Sequence, residues 1–575
     1  LGGGRRGPLR IKLAGFLDVV LRGTILVLAS LVLGGVVWTR VVLGASARVA
    51  PAPPAAMALR VVAVAAGLAA LAQTATMLVA LAEVRGAGSW PLADFFQTTF
   101  ALTALARVLL AIGVSVLALR LCGRAASLGA WRVLSAGATL VVVSSAVLSH
   151  AIARVDDRAV LLALDAAHQA AAAVWIGGLA HLTLYAAFRA RATTRRPRSV
   201  GARAAGPAAP QADAADTDLD GLVGFGAPDV PHAAAADTVI VRRFSSLAFA
   251  SVVVLVAAGG VLTWRYVGDW AGLVGTAYGV MVLSKAILLA AILGLAALNF
   301  RAVRRASAGL ELRLRRFVEA ELGLGITVLF AAASLTSLPP AIDVTTDRAT
   351  VAEVAGRFVP APPRLSSPPV ADLIARAEPL LAPVTRREPI ERAWSEYNHH
   401  WAGFFVLAMG VLAALERLGL RAARHWPLVL LGLAAFLFFR NDPRAWPLGP
   451  AGFWESLALP DVLQHRTFVV LIVAFAVFEW MVRTGRLPAR PWGYVFPMLC
   501  AVGGGLLLTH SHAMFNLKDE FLAEVTHAPL GILGAFVGWG RWLELRLPGA
   551  GRAPGWLWTL GLIAVGLILV VYREA

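Results

Sequence analysis

Charged side chains are scarce in this 575-residue chain: Asp, Glu, Lys and Arg together make up 15% of it, against 58% hydrophobic residues. So little charge cannot clothe a water-soluble protein of this length, and a soluble multidomain architecture is excluded. Short strands of alternating character are missing too, which removes a transmembrane barrel. The two cysteines, Cys122 and Cys500, lie far apart at or in apolar runs, so neither a disulfide framework nor a thiolate metal motif is indicated. No G-x-S-x-G elbow and no Gly-rich phosphate loop closed by lysine occurs, and hydrolytic or phosphoryl-transfer chemistry has no support. The seven methionines form no stripe of the kind a thioether relay needs. No signal peptide with a cleavage site is evident; the sequence opens on Leu1 and not on methionine, so an upstream start or processing is expected.

What fills the chain instead is long apolar runs. A hydrocarbon core of about 30 Å asks about 20 apolar residues of a helix, and the mean hydropathy of +0.73 reflects many such runs. The expected fold class is an all-α polytopic membrane protein of about fourteen transmembrane helices in two bundles. The expected spans are 18–42, 57–82, 100–121, 132–152, 159–188, 244–266, 275–300, 314–338, 399–417, 426–440, 462–482, 492–512, 523–543 and 555–572. A net charge of +18 would suit nucleic acid in a soluble protein. Here the arginines crowd the loops after spans three, five, seven, nine, eleven and thirteen, which share one parity, so they mark cytoplasmic loops beside a lipid bilayer and argue against a nucleic-acid partner. Both termini then lie outside, although Arg5, Arg6, Arg10 and Lys12 argue the other way. The expected organisation is a first membrane bundle beginning at 1–188, a disordered cytoplasmic linker at 189–241, and completion of that bundle at 242–338. A periplasmic loop at 339–395 and a histidine-rich membrane bundle at 396–575 follow.

With that parity, His150, His168, His399, His400, His465, His510, His512 and His527 all fall at the outer ends of spans. Histidine in a bilayer is costly without a partner, so eight at one depth point to a metal site, although any one alone reads as a packing or interfacial residue. The stretch THSHAMFNLKDEFLAEVTH, from Thr509 to His527, ends one span and opens the next; Ser149-His150 and His168 repeat that layout, and two copies of one hairpin are expected. The favoured outer site draws on His400, His510, His512 and His527, with His399 and His465 in reserve. Residues two apart on a helix point about 200° apart, so only one of His510 and His512 is expected to ligate. Glu396, Asp461, Glu520 and Glu524 lie near enough in sequence to orient the rings. Imidazole suits copper and also zinc. Haem b is the alternative cofactor, held axially by His150 with His168, or by His510 or His512 with His527. Metal binding without flux, as in a scaffold for copper-enzyme assembly, is a third reading. His181, His232 and His425 read as packing or solvated residues, and Lys285 is the most exceptional polar group within a span.

Four stretches in order, HQAAAAVWIGGL, RRFSSLAFASVVVLVAAGGVLTW, GTAYGVMVLSKAILLAAILGLAALNFR and LRRFVEAELGLGITVLFAAASLTSLPP, resemble the copper resistance D (CopD) family of inner-membrane proteins over roughly 130–340. The second half, with WSEYNHHWAGFFVLAMGVLAALER, FWESLALPDVLQHR and LLLTHSHAMFNLKDE, resembles the C-terminal extension of longer members. The resemblance implies copper binding and transport, or copper resistance, at the bacterial cytoplasmic membrane, without enzymatic activity and beside a periplasmic copper-binding partner. It also implies that His150 and His168 occupy the family's histidine positions. The inserted linker and the second histidine-rich half depart from a short member, which leaves open which half acts.

Overall fold

The computed structural model describes residues 7–44, 53–87, 91–122, 127–194, 230–304, 310–375, 389–509, 518–547 and 552–574. Among these there is no strand, and fourteen helical segments are long and apolar enough to cross a membrane. The first half supplies α1 (Gly7–Val37), α2 (Pro53–Ala87), α3 (Thr99–Leu121), α4 (Leu128–Val143), α5 (Arg158–Thr194), α6 (Val230–Val267), α7 (Ala277–Arg304) and α8 (Leu310–Leu335). The second supplies α9 (Pro389–Arg417), α10 (Val429–Arg440), α11 (Pro460–Arg483), α12 (Val495–Thr509), α13 (His527–Arg546) and α14 (Ala553–Val570). Local chemistry sets their ends. Thr98 and Ser127 cap α3 and α4 by accepting from the N–H groups of Ala101 and Ala130, and Pro339-Pro340 follow α8 where a helix cannot continue.

Two polar faces bound the helices. On one, Arg154 pairs with Asp343 (2.9 and 2.7 Å), Arg348 with Asp269 (3.0 Å), and Arg265 with Asp157. The segment after α8 also grips the start of the Lys518–Glu524 helix, through Glu353 to Lys518 Nζ (2.7 Å) and Asp347 to the Lys518 N–H (3.1 Å). The Lys518 ammonium and the Thr350 N–H hold the Glu353 carboxyl down at about 2, so this clamp stays charged at any physiological pH. Ala361 N–H donates to Val571 (3.1 Å) and Arg357 to the Glu574 carbonyl (2.6 Å), placing the C-terminal residues on the same face. The other face is arginine-rich: Arg316 and Arg546 close on Glu319, Arg417 and Arg541 on Glu544, and Arg483 on Glu416 and Glu479.

Three details differ from expectation. Helix covers both ends of the expected linker, since α5 runs on to Thr194 and α6 begins at Val230; alanine and arginine there are good helix formers. Residues 195–229 lie outside the described residues, as do 376–388 of the expected 339–395 loop. Within that loop, Thr350 and Glu353 make a capping box for an additional helix, Val351–Arg357, while Val370–Ala375 is helical at the start of ADLIARAEPLLAPV, where the sequence allows one amphipathic helix. The two bundles also share one core: Leu288, Leu324 and Trp175 of the first half cluster with Leu508, Ile532 and Ala535 of the second, and Trp539 of α13 lies where Gly323 of α8 has no side chain.

The two histidine hairpins pack differently. On α5, Gly177 lies against Ser30 and Gly34 of α1, with His181 against Gly35 and Trp38 against Tyr185, so α1 and α5 run parallel. On α13, Gly531 meets Leu508 and Gly538 meets Ala501, so α12 and α13 run antiparallel. The shared motif is therefore not a shared packing unit. A Cβ at position 177 would lie 1.8 Å from the Ser30 carbonyl oxygen. Gly177→Ala is expected to force α1 off α5 and to cost about 1–3 kcal/mol. Thermal unfolding of the purified variant in detergent measures this, and an unchanged midpoint contradicts the close packing.

Candidate metal sites

In the first half, the two predicted histidines are each held by a carbonyl of a later helix. His150 opens a single 3-10 turn, His150–Ala153, after α4; its Nε2 donates to the Leu335 carbonyl (3.0 Å) at the end of α8, and its ring makes edge contacts with Tyr266 and Tyr278. His168, on α5, donates from Nδ1 to the Leu255 carbonyl of α6 (3.0 Å). Its ring lies over Gly259, where a Cβ would stand 2.8 Å from Cε1. A carbonyl on one ring nitrogen fixes tautomer and orientation and leaves the lone pair on the other, the usual arrangement behind a metal-ligating imidazole. Asp165, one helical turn before His168, was not singled out from the sequence. Its Oδ2 is buried with no hydrogen-bond partner, and its charge reaches His168, Tyr266, Tyr278 and Lys285. The spacing D-A-A-H in an apolar run is the signal that points to it.

In the second half, His399 of α9 and His527 at the start of α13 line one cavity of about 380 Å³, with Tyr572, Cys500, Gly503 and Gly504 among its other walls. His399 donates from Nδ1 to the Ser395 carbonyl (2.8 Å) and stacks on Tyr572 at 4.2 Å between centroids. His527 Nδ1 lies 3.2 Å from the Glu524 carbonyl. In both rings a carbonyl of the chain's own preceding turn holds Nδ1 and so orients the imidazole.

Other members of the predicted set go elsewhere. His400 is fully buried: its Nδ1 accepts from the Arg364 N–H (2.7 Å) and its Nε2 donates to the Tyr572 carbonyl (2.8 Å). With both nitrogens engaged it has no lone pair for an ion in this structure, and it ties the 339–375 segment and the C-terminal residues to α9. The reserve His399, its sequence neighbour, faces the cavity instead. His465 sits on α11 against Asp442 (2.8 Å) and Asn441 (2.9 Å), apart from the cavity walls. His510 and His512 lie outside the described residues, between Thr509, which ends α12, and Lys518. Among the described residues, no three His, Cys, Asp or Glu side chains gather into a metal-holding group. His181 is buried and donates to Gly177 (2.8 Å), and His425 accepts from the Trp480 indole (2.8 Å), both in packing roles.

His400→Ala is expected to lower stability by about 1–3 kcal/mol, since the Arg364 N–H and Tyr572 carbonyl lose their partner, and to leave copper content unchanged. Loss of copper from a folded His400→Ala protein would return this residue to the ligand set.

Fold and site together define a polytopic α-helical membrane protein with carbonyl-oriented histidines near one face. Residues 238–335, spanning most of α6, all of α7 and α8, match the family model of copper resistance protein D, and this part of the chain is a CopD region. The match ties it to copper resistance and transport at a membrane. Neither a curated protein nor a solved structure matches the chain.

Proposed function

We propose that the protein captures copper ions at the periplasmic face of the bacterial cytoplasmic membrane and passes them inward or to a periplasmic copper-binding partner. One observation carries this reading: the CopD region itself orients His150 and His168, through the carbonyls of Leu335 and Leu255, so the matched helices and the predicted ligands are one assembly. The face bearing these residues, the 339–375 segment and the C-terminal residues is taken as periplasmic, because the opposite face holds the arginine clusters.

The second half contributes a capture site built on His399 and His527 and completed by His510 or His512 from the adjoining segment. Cys500, a soft sulfur in the same cavity wall, suits Cu(I) and zinc alike. The same cavity is what keeps haem b as a second reading, since two imidazoles from different helices line it beside Gly503, where a side chain would meet open space. No covalent chemistry is assigned to the protein: its residues bind, orient and release an ion. The test is copper entry into vesicles containing the purified full chain, followed with an entrapped copper indicator. Copper entry above that of empty vesicles supports transport; saturable binding without entry favours the scaffold reading.

A further inference from the structure

Tyr278, Lys285, Ile292 and Asn299 recur every seven residues along α7, a spacing that drifts by only about 20° per step and so keeps them on one stripe. The polar members occupy its two ends. Near the outer end, Lys285 and Tyr278 lie within electrostatic reach of Asp165 on α5, as do His168 and Tyr266. Three polar atoms there are buried with no hydrogen-bond partner: Asp165 Oδ2, Gln169 Oε1 and the hydroxyl of Tyr266, a residue only 6% exposed. Buried polar atoms are nearly always partnered, so orphans on successive turns of α5 and on the α6 tyrosine that the Asp165 charge reaches mark a spot where water or a proton carrier belongs. Lys285 is one of three lysines among 52 basic residues, and lysine, unlike arginine, can surrender its proton.

The middle of the stripe is dry. Leu288 (0% exposed) and Ile292 (2%) pack with Trp175, Leu179, Leu255 and Leu324. Below this plug, Asn299 Nδ2 donates to Glu321 of α8 at 2.5 Å, and Glu321 is 4% exposed. Neighbouring Glu319 takes Arg316 and Arg546, and among the described residues no cation is placed on Glu321. The Asn299 carbonyl oxygen is itself buried without a partner. The amide therefore suits either form of Glu321, donating to a carboxylate as it stands or, turned over, accepting from a carboxylic acid.

We propose that this stripe is a proton path through the CopD region. Asp165 and Lys285 exchange protons with the outer side, Glu321 exchanges them with the inner side, and Leu288 with Ile292 is the barrier between. Copper movement is driven by protons crossing it. The coupling rests on the transport reading given above; the path does not. Each step moves one proton from an ammonium or carboxyl group to the next base or to water, and nothing is oxidised or reduced. The groups facing the outer site are Asp165 and His168 of α5, Tyr266 of α6 and Tyr278 and Lys285 of α7, with His150 against the two tyrosines and Arg154–Asp343 at the mouth. Those near the inner site are Glu319, Arg316 and Arg546.

The test uses the full chain in vesicles with an entrapped pH dye. Ile292→Ser, or Leu288→Ser should the first variant fold poorly, is expected to wet the plug and collapse an imposed pH gradient about tenfold faster than wild type. Adding Glu321→Gln to that background is expected to restore the slow rate. Folded serine variants that both hold the gradient overturn the path, and a leak that survives Glu321→Gln overturns the role of Glu321. In the wild type, copper entry should fall about tenfold when a protonophore removes the gradient. Entry that ignores the protonophore overturns the coupling and leaves transport standing. A serine-variant leak alongside no wild-type copper entry sinks the transport reading and the coupling, and leaves the path.

Discussion

Replacing His399 and His527 together by alanine in the full-length protein is expected to weaken copper binding at the second-half site by more than about 100-fold, more than the loss of an orienting neighbour usually costs. These two rings share a cavity, and each has its Nδ1 tied to a backbone carbonyl. His465→Ala serves as the control, because that ring is held by Asp442 and Asn441. Copper stoichiometry and affinity by competition with a chelator give the result, with helicity and thermal midpoint confirming the fold. Undiminished stoichiometry in the folded double variant removes the second-half site and leaves His150 and His168 as the binding residues.

The second large effect is expected at a residue with no side chain. Gly259 gives the His168 ring its place on α6, and a bulky residue there must push the ring off the Leu255 carbonyl. Gly259→Val is therefore expected to reduce copper entry about 10–100-fold, as losses of an orienting partner do, and to match His168→Ala. Gly259→Ala should fall between, since a single methyl can be met by a small shift of the ring. A folded Gly259→Val protein with wild-type copper entry would show that the orientation of His168 is immaterial to transport.

The spans were legible because each is a long apolar run, and the parity of their connections because arginines cluster at alternate turns; both signals are local in sequence. Their ends were less so. Arg421–Leu428 forms a 3-10 segment containing Pro427 ahead of α10, and α5 continues through arginines that read as loop. Depth along a helix was readable for part of the set: His399, His400 and His527 meet Tyr572 or share a cavity with it just beyond the end of α14. Which way each ring points was not. His399 and His400 are neighbours about 100° apart on α9, and only the positions of Arg364 and Tyr572 decide that one faces the cavity while the other is consumed in hydrogen bonds. The likeness of the two hairpins misled for a related reason. The layout of span end, charged turn and histidine is alike in both, but Gly34 and Gly177 pair α5 with α1, a partner more than a hundred residues away that the layout cannot report.

The most direct test of the account is the metal and haem content of the purified full-length protein, measured by elemental analysis and by its visible spectrum. Copper in whole-number stoichiometry, reduced in the His399/His527 double variant, with no Soret band, is the predicted result. A Soret band that tracks protein concentration, with copper absent, would contradict it and assign the same histidines to haem.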